Sequence, residues 1–273
     1  MVVGPIELLP VPDAVGLLAE YVEAYPDVPA AAWDPYRELY PELFAAESWR
    51  LPCNCFLMRS EGATILVDTG VGPPGLWDWT AEDEGELPEA LARLGVRPDD
   101  VDIVFLTHLH IDHVGWAVRD SKPFFPRARH IVPRADWEYF RAPERAAENA
   151  HVVAMEAIDK AGMIELVEGE RALTDEVTLL PTPGHTPGHQ SLVVASGGER
   201  AYIVGDVVHH PAQLQETAWC PAFDDDKAAA TASRRKLLER IEAERSLFAA
   251  CHFPAPGFGR IAVVQGRRLY QAL

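Results

Sequence analysis

The chain has 273 residues, 48% of them hydrophobic, with 42 acidic against 24 basic side chains and a formal net charge of −18. That length is ample for a large core, and the acidity argues against a nucleic-acid partner, whose binding rests on neutralising phosphates with Lys and Arg. No apolar run approaches membrane-spanning length and no basic leader opens the sequence, so no membrane partner is expected and cytoplasmic residence is the default.

Residues 1–52 are punctuated by Pro12, Pro26, Pro29, Pro35, Pro41 and Pro52, which break any helical pattern. This stretch is expected to be an N-terminal arm or lid packed on the body, and its aromatics make it a candidate homodimer contact. From residue 55 the pattern becomes regular. Strands are predicted at 55–60 and 63–70 around a Glu61-Gly62 turn, and an amphipathic helix at 87–95 closes on Gly95. Strands follow at 101–106 and 129–133, then helices at 134–140 and 144–162. Strands at 176–181, 190–196 and 200–206 precede a helix at 224–241 with Asp residues at its start, and 246–252 and 260–266 complete the set. No linker-rich boundary divides the chain, so residues 1–273 are read as one α/β domain. Cys53, Cys55, Cys220 and Cys251 are read as buried free thiols.

Four apolar strands end in metal-friendly side chains. The run "VDIVFLT" leads into His108, His110, Asp112 and His113; "VTLLPTPG" leads into His185, "AYIVG" into Asp206 and "LFAAC" into His252. Strands apolar on both faces lie inside a covered sheet, and such sheets place their sites at the strands' carboxyl ends, so one pocket can gather all seven groups. His108 and His110 are two apart and project to the same side of extended backbone, whereas Asp112 and His113 follow where the chain turns. Leaving these groups buried and unpartnered would cost about 1–3 kcal/mol each. Seven ligands exceed the needs of one four-coordinate ion, so two divalent cations sharing a carboxylate are expected; zinc suits the donors first, and Mn, Fe or Co also fit. His130 and His151 are read as surface or hydrogen-bonded residues instead.

"THLHIDH", "GHTPGH", "VGD" and "CHF", in this order, resemble the metallo-β-lactamase superfamily, and the resemblance runs over nearly the whole chain from residue 53. It implies a four-layer αβ/βα sandwich of two mixed sheets flanked by helices. It further implies that His108, His110 and His185 hold one metal, that Asp112, His113 and His252 hold the second, and that Asp206 bridges them. Asp68 in "ILVDTG" would steady the metal-bearing loops. "LPEALARLGVRPDDVDIVFLTHLHIDHVG" resembles the acyl-homoserine lactonases, and "GDVVHHPAQLQ" with "CHFPAPGFGRI" resembles the branch containing methyl parathion hydrolase. Two positions depart from the lactonase pattern. His209 stands where the small lactonases carry Tyr, and Gly115-Trp116 stands where many relatives have Gly-Gly.

The function expected is hydrolysis of a small-molecule lactone, or a related ester or phosphotriester, by a hydroxide generated between the ions. Asp112 is the candidate proton donor to the leaving oxygen, and His209 the candidate extra polar group, ahead of His189 and His210. Trp33, Tyr36, Tyr40, Phe44, Trp49, Trp77, Trp79, Trp116 and Trp219 are candidates for an apolar mouth. The alternatives are a glyoxalase II-like thioesterase, although its motif usually has His where Leu109 stands, and iron-dependent persulfide oxidation.

Overall fold

The computed structural model describes residues 1–76, 80–81 and 85–273. One sheet is built from β1 (Ile6–Glu20), β2 (Ser48–Ser60), β3 (Ala63–Val67), β4 (Ile103–Phe105), β5 (Arg129–Pro133) and β6 (Ile164–Val167), adjacent in that order. Its first pairs are antiparallel, with Leu8 opposite Met58 and Phe56 opposite Val67, and the rest are parallel, with Ile65 opposite Ile103. The β2–β3 turn uses Glu61 and Gly62 at positive φ (51° and 83°), a pairing that matches the twist of a hairpin.

The second sheet contains β7 (Val177–Pro181), β8 (Gln190–Ser196), β9 (Glu199–Ile203), β10 (Leu247–Ala249), β11 (Phe258–Val264) and β12 (Arg267–Ala272), again adjacent in order. Only the β9–β10 pair is parallel, which requires a crossover, and the helix Lys227–Glu244 supplies it. Its N-cap Asp226 accepts the Ala228 and Ala229 amides at 3.0 and 2.9 Å.

Strand alternation explains the layers. Successive side chains point to opposite faces, so an uninterrupted apolar strand serves two cores. Ile65, Val67, Ile103 and Phe105 meet Leu179, Leu192, Val194 and Ile203 between the sheets. Leu66 and Val104, one residue out of phase, pack outward on Leu87, Leu91, Trp137 and Phe140 from helices Leu87–Arg93 and Arg134–Phe140. Tyr202 and Phe248 pack on Leu237, Leu238 and Ile241 of the crossover helix. The layers run helix, sheet, sheet, helix. No helix among the described residues is long and apolar enough to cross a membrane.

Two expectations need correction, and two strands were not expected. Residues 1–52 are not solely an arm, because β1 pairs with β2 from Leu8–Met58 to Glu20–Ser48. Its register shifts between Pro12 and Ala14, and bulges and weakly covered edges are where strands tolerate proline. Within the predicted helix at 144–162, only Ala150–Ala154 and Glu156–Lys160 are helical. β6 and β12 are strands the sequence pattern did not reveal. Trp116, in the Gly-Trp departure, donates its indole N–H to buried Asp13 at 3.1 Å. Gly115 fits because any Cβ there would lie 2.1 Å from the Val71 backbone.

Candidate metal centre

β3, β4, β9 and β10 all deliver chain to the same edge of the sandwich. At the end of β3, Asp68 accepts the Thr107 amide at 2.8 Å and the Thr107 hydroxyl at 2.9 Å, which fixes the start of the loop after β4. Extended backbone at His110 then sets its Nδ1 3.1 Å from His108 Nε2. The loop after β7 adds His185, whose Nε2 lies 3.2 Å from His108 Nε2 and 2.9 Å from His110 Nδ1. Asp112 and His113 leave on the short helix Ile111–Val114. Asp112 Oδ2 lies 3.8 Å from His113 Nε2 and 3.6 Å from His252 Nε2.

Asp206 stands between the two groups. Its Oδ2 is 3.2 Å from His252 Nε2, 3.4 Å from His185 Nε2 and 3.7 Å from His108 Nε2, and its Oδ1 is 3.4 Å from His113 Nε2. All seven residues named from the strand ends therefore lie in one cluster.

Outer partners determine which ring nitrogen carries the hydrogen. His185 Nδ1 faces Asp224 at 2.9 Å, His113 Nδ1 faces Asp68 at 2.8 Å, and His252 Nδ1 faces the Pro52 carbonyl at 2.7 Å. The Thr107 hydroxyl donates to Asp68, so it accepts from His108 Nδ1 at 3.1 Å. Each acceptor draws a hydrogen to Nδ1, so the inward Nε2 is the nitrogen free to ligate; at His108 and His185 it is a lone pair, and at His252 it meets Asp206 Oδ2 at 3.2 Å, where a cation would take the proton's place. The His108 and His185 Nε2 lone pairs, 3.2 Å apart, repel unless a hydrogen or a cation lies between them. His113 Nε2 and Asp206 Oδ1 are buried with no hydrogen-bond partner. The donors fit divalent cations on these grounds.

Electrostatics separate the two groups. Burial holds His108 well below the usual imidazole range and takes His110 to about 3 and His185 to about 4. Burial acts the same way on His113 and His252, but Asp206 and Asp112, joined at His113 by Asp68, outweigh it and push both upward. Asp206 is raised by burial and lowered further by His252, His113 and His209, so it stays ionised. Burial pushes the Cys53 and Cys251 thiols up, which leaves them protonated and poor ligands. All four cysteines are buried and free.

The remaining histidines differ. His209 Nε2 is 3.2 Å from Asp206 Oδ2, yet neither ring nitrogen makes a hydrogen bond. His189 is committed elsewhere, because its Nε2 accepts the Asp206 amide at 2.9 Å and its Nδ1 meets Thr182. His210 points away into a cage with Tyr21, Trp33, Tyr36 and Trp49. His130 is buried against the Ala128 carbonyl, whereas His151 lines the active cavity.

That cavity has a volume of about 270 Å³ and opens on His110, Asp112, His185, Asp206, His209 and His252, with Leu18, Leu51, Ile111 and Phe223 as apolar walls. The aromatic mouth is thus another correction. Trp33, Tyr36, Tyr40 and Trp49 are buried in a core cluster, with Phe44 and Trp219 packed against it, and Trp116 is buried near Asp13. Rings this large bury most area against one another, which favours core over rim. Trp77 and Trp79 lie outside the described residues.

The sequence reading missed the supports. Asp224 is buried between His185 and Arg234 Nη2, at 2.9 and 3.3 Å. In the run Asp224-Asp225-Asp226 only the helix-starting role was visible. Asp136, fully buried, accepts the Thr186 hydroxyl at 2.8 Å and the Gly188 amide at 2.6 Å, tying the Arg134–Phe140 helix to the His185 loop. No local signal marks it.

The profile of the Metallo-beta-lactamase superfamily matches residues 48–267. An N-acyl homoserine lactonase of Bacillus sp is 30% identical over 201 residues, covering 68% of this chain and 76% of its own. The N-acyl homoserine lactonase AiiA of Bacillus thuringiensis subsp. kurstaki is 28% identical over 207 residues, covering 70% and 78%. Among solved structures, AidC, a dizinc quorum-quenching lactonase, superposes with a TM-score of 0.88 at 24% identity, covering 100% of this chain and 96% of its own. The hydrolase AbOPH superposes at 0.86 and 23% identity with the same coverage, and at such identities the likeness speaks for the fold. Profile, relatives and architecture agree: the chain belongs to the metallo-beta-lactamase superfamily.

Proposed function

We propose that this chain is a metal-dependent lactone hydrolase that uses two divalent cations, zinc first among them, and acts on N-acyl homoserine lactones, the substrates for which its relatives are named. The observation that carries the reading is one cavity in which inward lone pairs and carboxylates face an apolar wall. His108, His110 and His185 would hold one cation, Asp112, His113 and His252 the other, and Asp206 both. Bound there, divalent cations supply a nucleophile from water at neutral pH and polarise a carbonyl oxygen.

The chain's own residues do the rest. Asp68, Asp224 and the Pro52 carbonyl hold the imidazoles in their ligating tautomers. Asp112 is the more exposed carboxylate at the cavity, with a side chain 11% accessible, and it takes the proton that the attacking water loses and passes it to the leaving alkoxide as the ring opens. His209, whose ring nitrogens make no hydrogen bond and which lies in the cavity wall, orients the ester group. Leu109 is buried in the helix-facing core, away from the cavity, which gives a glyoxalase II-like site no support.

Metal-loaded protein is expected to open N-acyl homoserine lactones with kcat/KM of about 10⁴ M⁻¹s⁻¹ or more, the ordinary range for a cognate substrate. Proton release measured by pH-stat follows ring opening directly. Glutathione thioesters, aryl esters and a paraoxon-like triester serve as the comparison panel. Faster cleavage of a thioester or triester than of any lactone would overturn the reading.

A further inference from the structure

One wall of the cavity carries two polar side chains outside the set that would hold the cations. Asn149 and His151 stand at the start of the helix Ala150–Ala154, which packs against the helix carrying Asp112, and both line the cavity. The Asn149 side-chain Nδ2 donates to the Arg145 carbonyl at 2.9 Å, which leaves Oδ1 as its free end. Asn149 also holds the N-cap position, where Asn ordinarily accepts an amide of the first turn, yet it makes no such bond. His151 Nε2 faces the Leu109 carbonyl at 3.2 Å, and a carbonyl only accepts, so Nε2 carries the hydrogen. Burial lowers the His151 pKa, and Nδ1 of the neutral ring is an acceptor with no partner among the described residues.

Both side chains therefore direct their donors at the backbone and keep their lone pairs. The side chains of Leu18, Leu51, Ile111 and Phe223, which line the same cavity, offer neither donor nor acceptor. We propose that Asn149 and His151 form a specificity site that accepts the N–H of an acylated amine on the lactone ring, with the acyl chain against the apolar wall. A secondary amide joined to an alkyl chain matches this surface in both respects. A simple lactone or a phosphotriester brings only oxygen lone pairs, and leaves both acceptors desolvated and unpaired. The assignment rests on the lactone reading above and adds which residues select the acylated lactones.

The test compares N-hexanoyl homoserine lactone with γ-decanolactone, which has the same ring and no amide. The native protein is expected to favour the first. His151→Phe and Asn149→Leu should each lower the ratio of the two kcat/KM values about tenfold, chiefly through KM, the scale of one lost hydrogen bond. His151→Gln, which keeps an N–H for Leu109 and an oxygen acceptor, should restore most of the preference. Inhibition by N-hexanoyl homoserine should weaken in parallel, and inhibition by ring-opened γ-decanolactone should weaken less. A ratio that stays at the native value overturns the assignment, whatever happens to the absolute rates. Failure of the metal-loaded native protein to open either lactone removes the lactone reading itself, and this assignment with it.

Discussion

Asp206→Asn is expected to lower kcat/KM by about 10²–10³-fold or more, the scale of losing one preorganised stabilising group, and to leave fewer than two ions per chain. The reason is geometric. Five imidazoles, from His108, His113, His185, His209 and His252, have a nitrogen within 4 Å of the Asp206 carboxylate. Asn keeps the shape but removes the charge, and puts an amide NH2, which cannot ligate a cation, where one carboxylate oxygen stood. Steady-state kinetics with metal analysis on the same preparation checks both parts. A variant with full metal content and native activity contradicts the role given to Asp206.

The largest loss of stability is expected at Arg234, whose side chain is 0% accessible. Its guanidinium donates to the carbonyls of Val207 (2.7 Å), Thr217 and Trp219 (both 3.0 Å), and to Asp224 at 3.3 Å. Arg234→Met leaves Asp224 as a buried charge with its cation removed, a change that costs about 3–5 kcal/mol. Urea unfolding at neutral pH reads this directly, and a loss under about 1 kcal/mol would mean that solvent reaches the pair. The pH dependence has a definite sign. Burial raises the Asp224 carboxyl, but the His185 hydrogen bond, with His209 and Arg234, outweighs it and holds Asp224 at about 2. Its contribution is therefore present above the ordinary carboxylate range and disappears as pH falls toward 2. The gap between native protein and variant should narrow over that interval.

The two predictions bear on different links between sequence and site. The cluster was legible because its members sit at the ends of apolar strands, where local pattern and chemistry coincide. His108, Asp206 and His252 are each preceded by such a run. The four layers were legible through family resemblance, and the out-of-phase packing of Leu66 between Ile65 and Val67 supplies the physical reason. What the sequence hid are partners distant along the chain. Asp13 meets Trp116 across 103 residues, and Asp224 meets His185 across 39. Proline counting failed at β1, because a bulge accommodates what an unbroken central strand rejects. His151 was read as a surface or hydrogen-bonded residue, and it is hydrogen-bonded through Nε2; its position in the cavity wall is visible only once the helices pack.

Anomalous scattering from crystals grown with zinc locates the cations themselves. Two peaks a few Å apart are expected, one among His108, His110 and His185, the other among Asp112, His113 and His252, with Asp206 reaching both. A single peak, or zinc bound anywhere else while these imidazoles stay unliganded, would contradict the two-cation site.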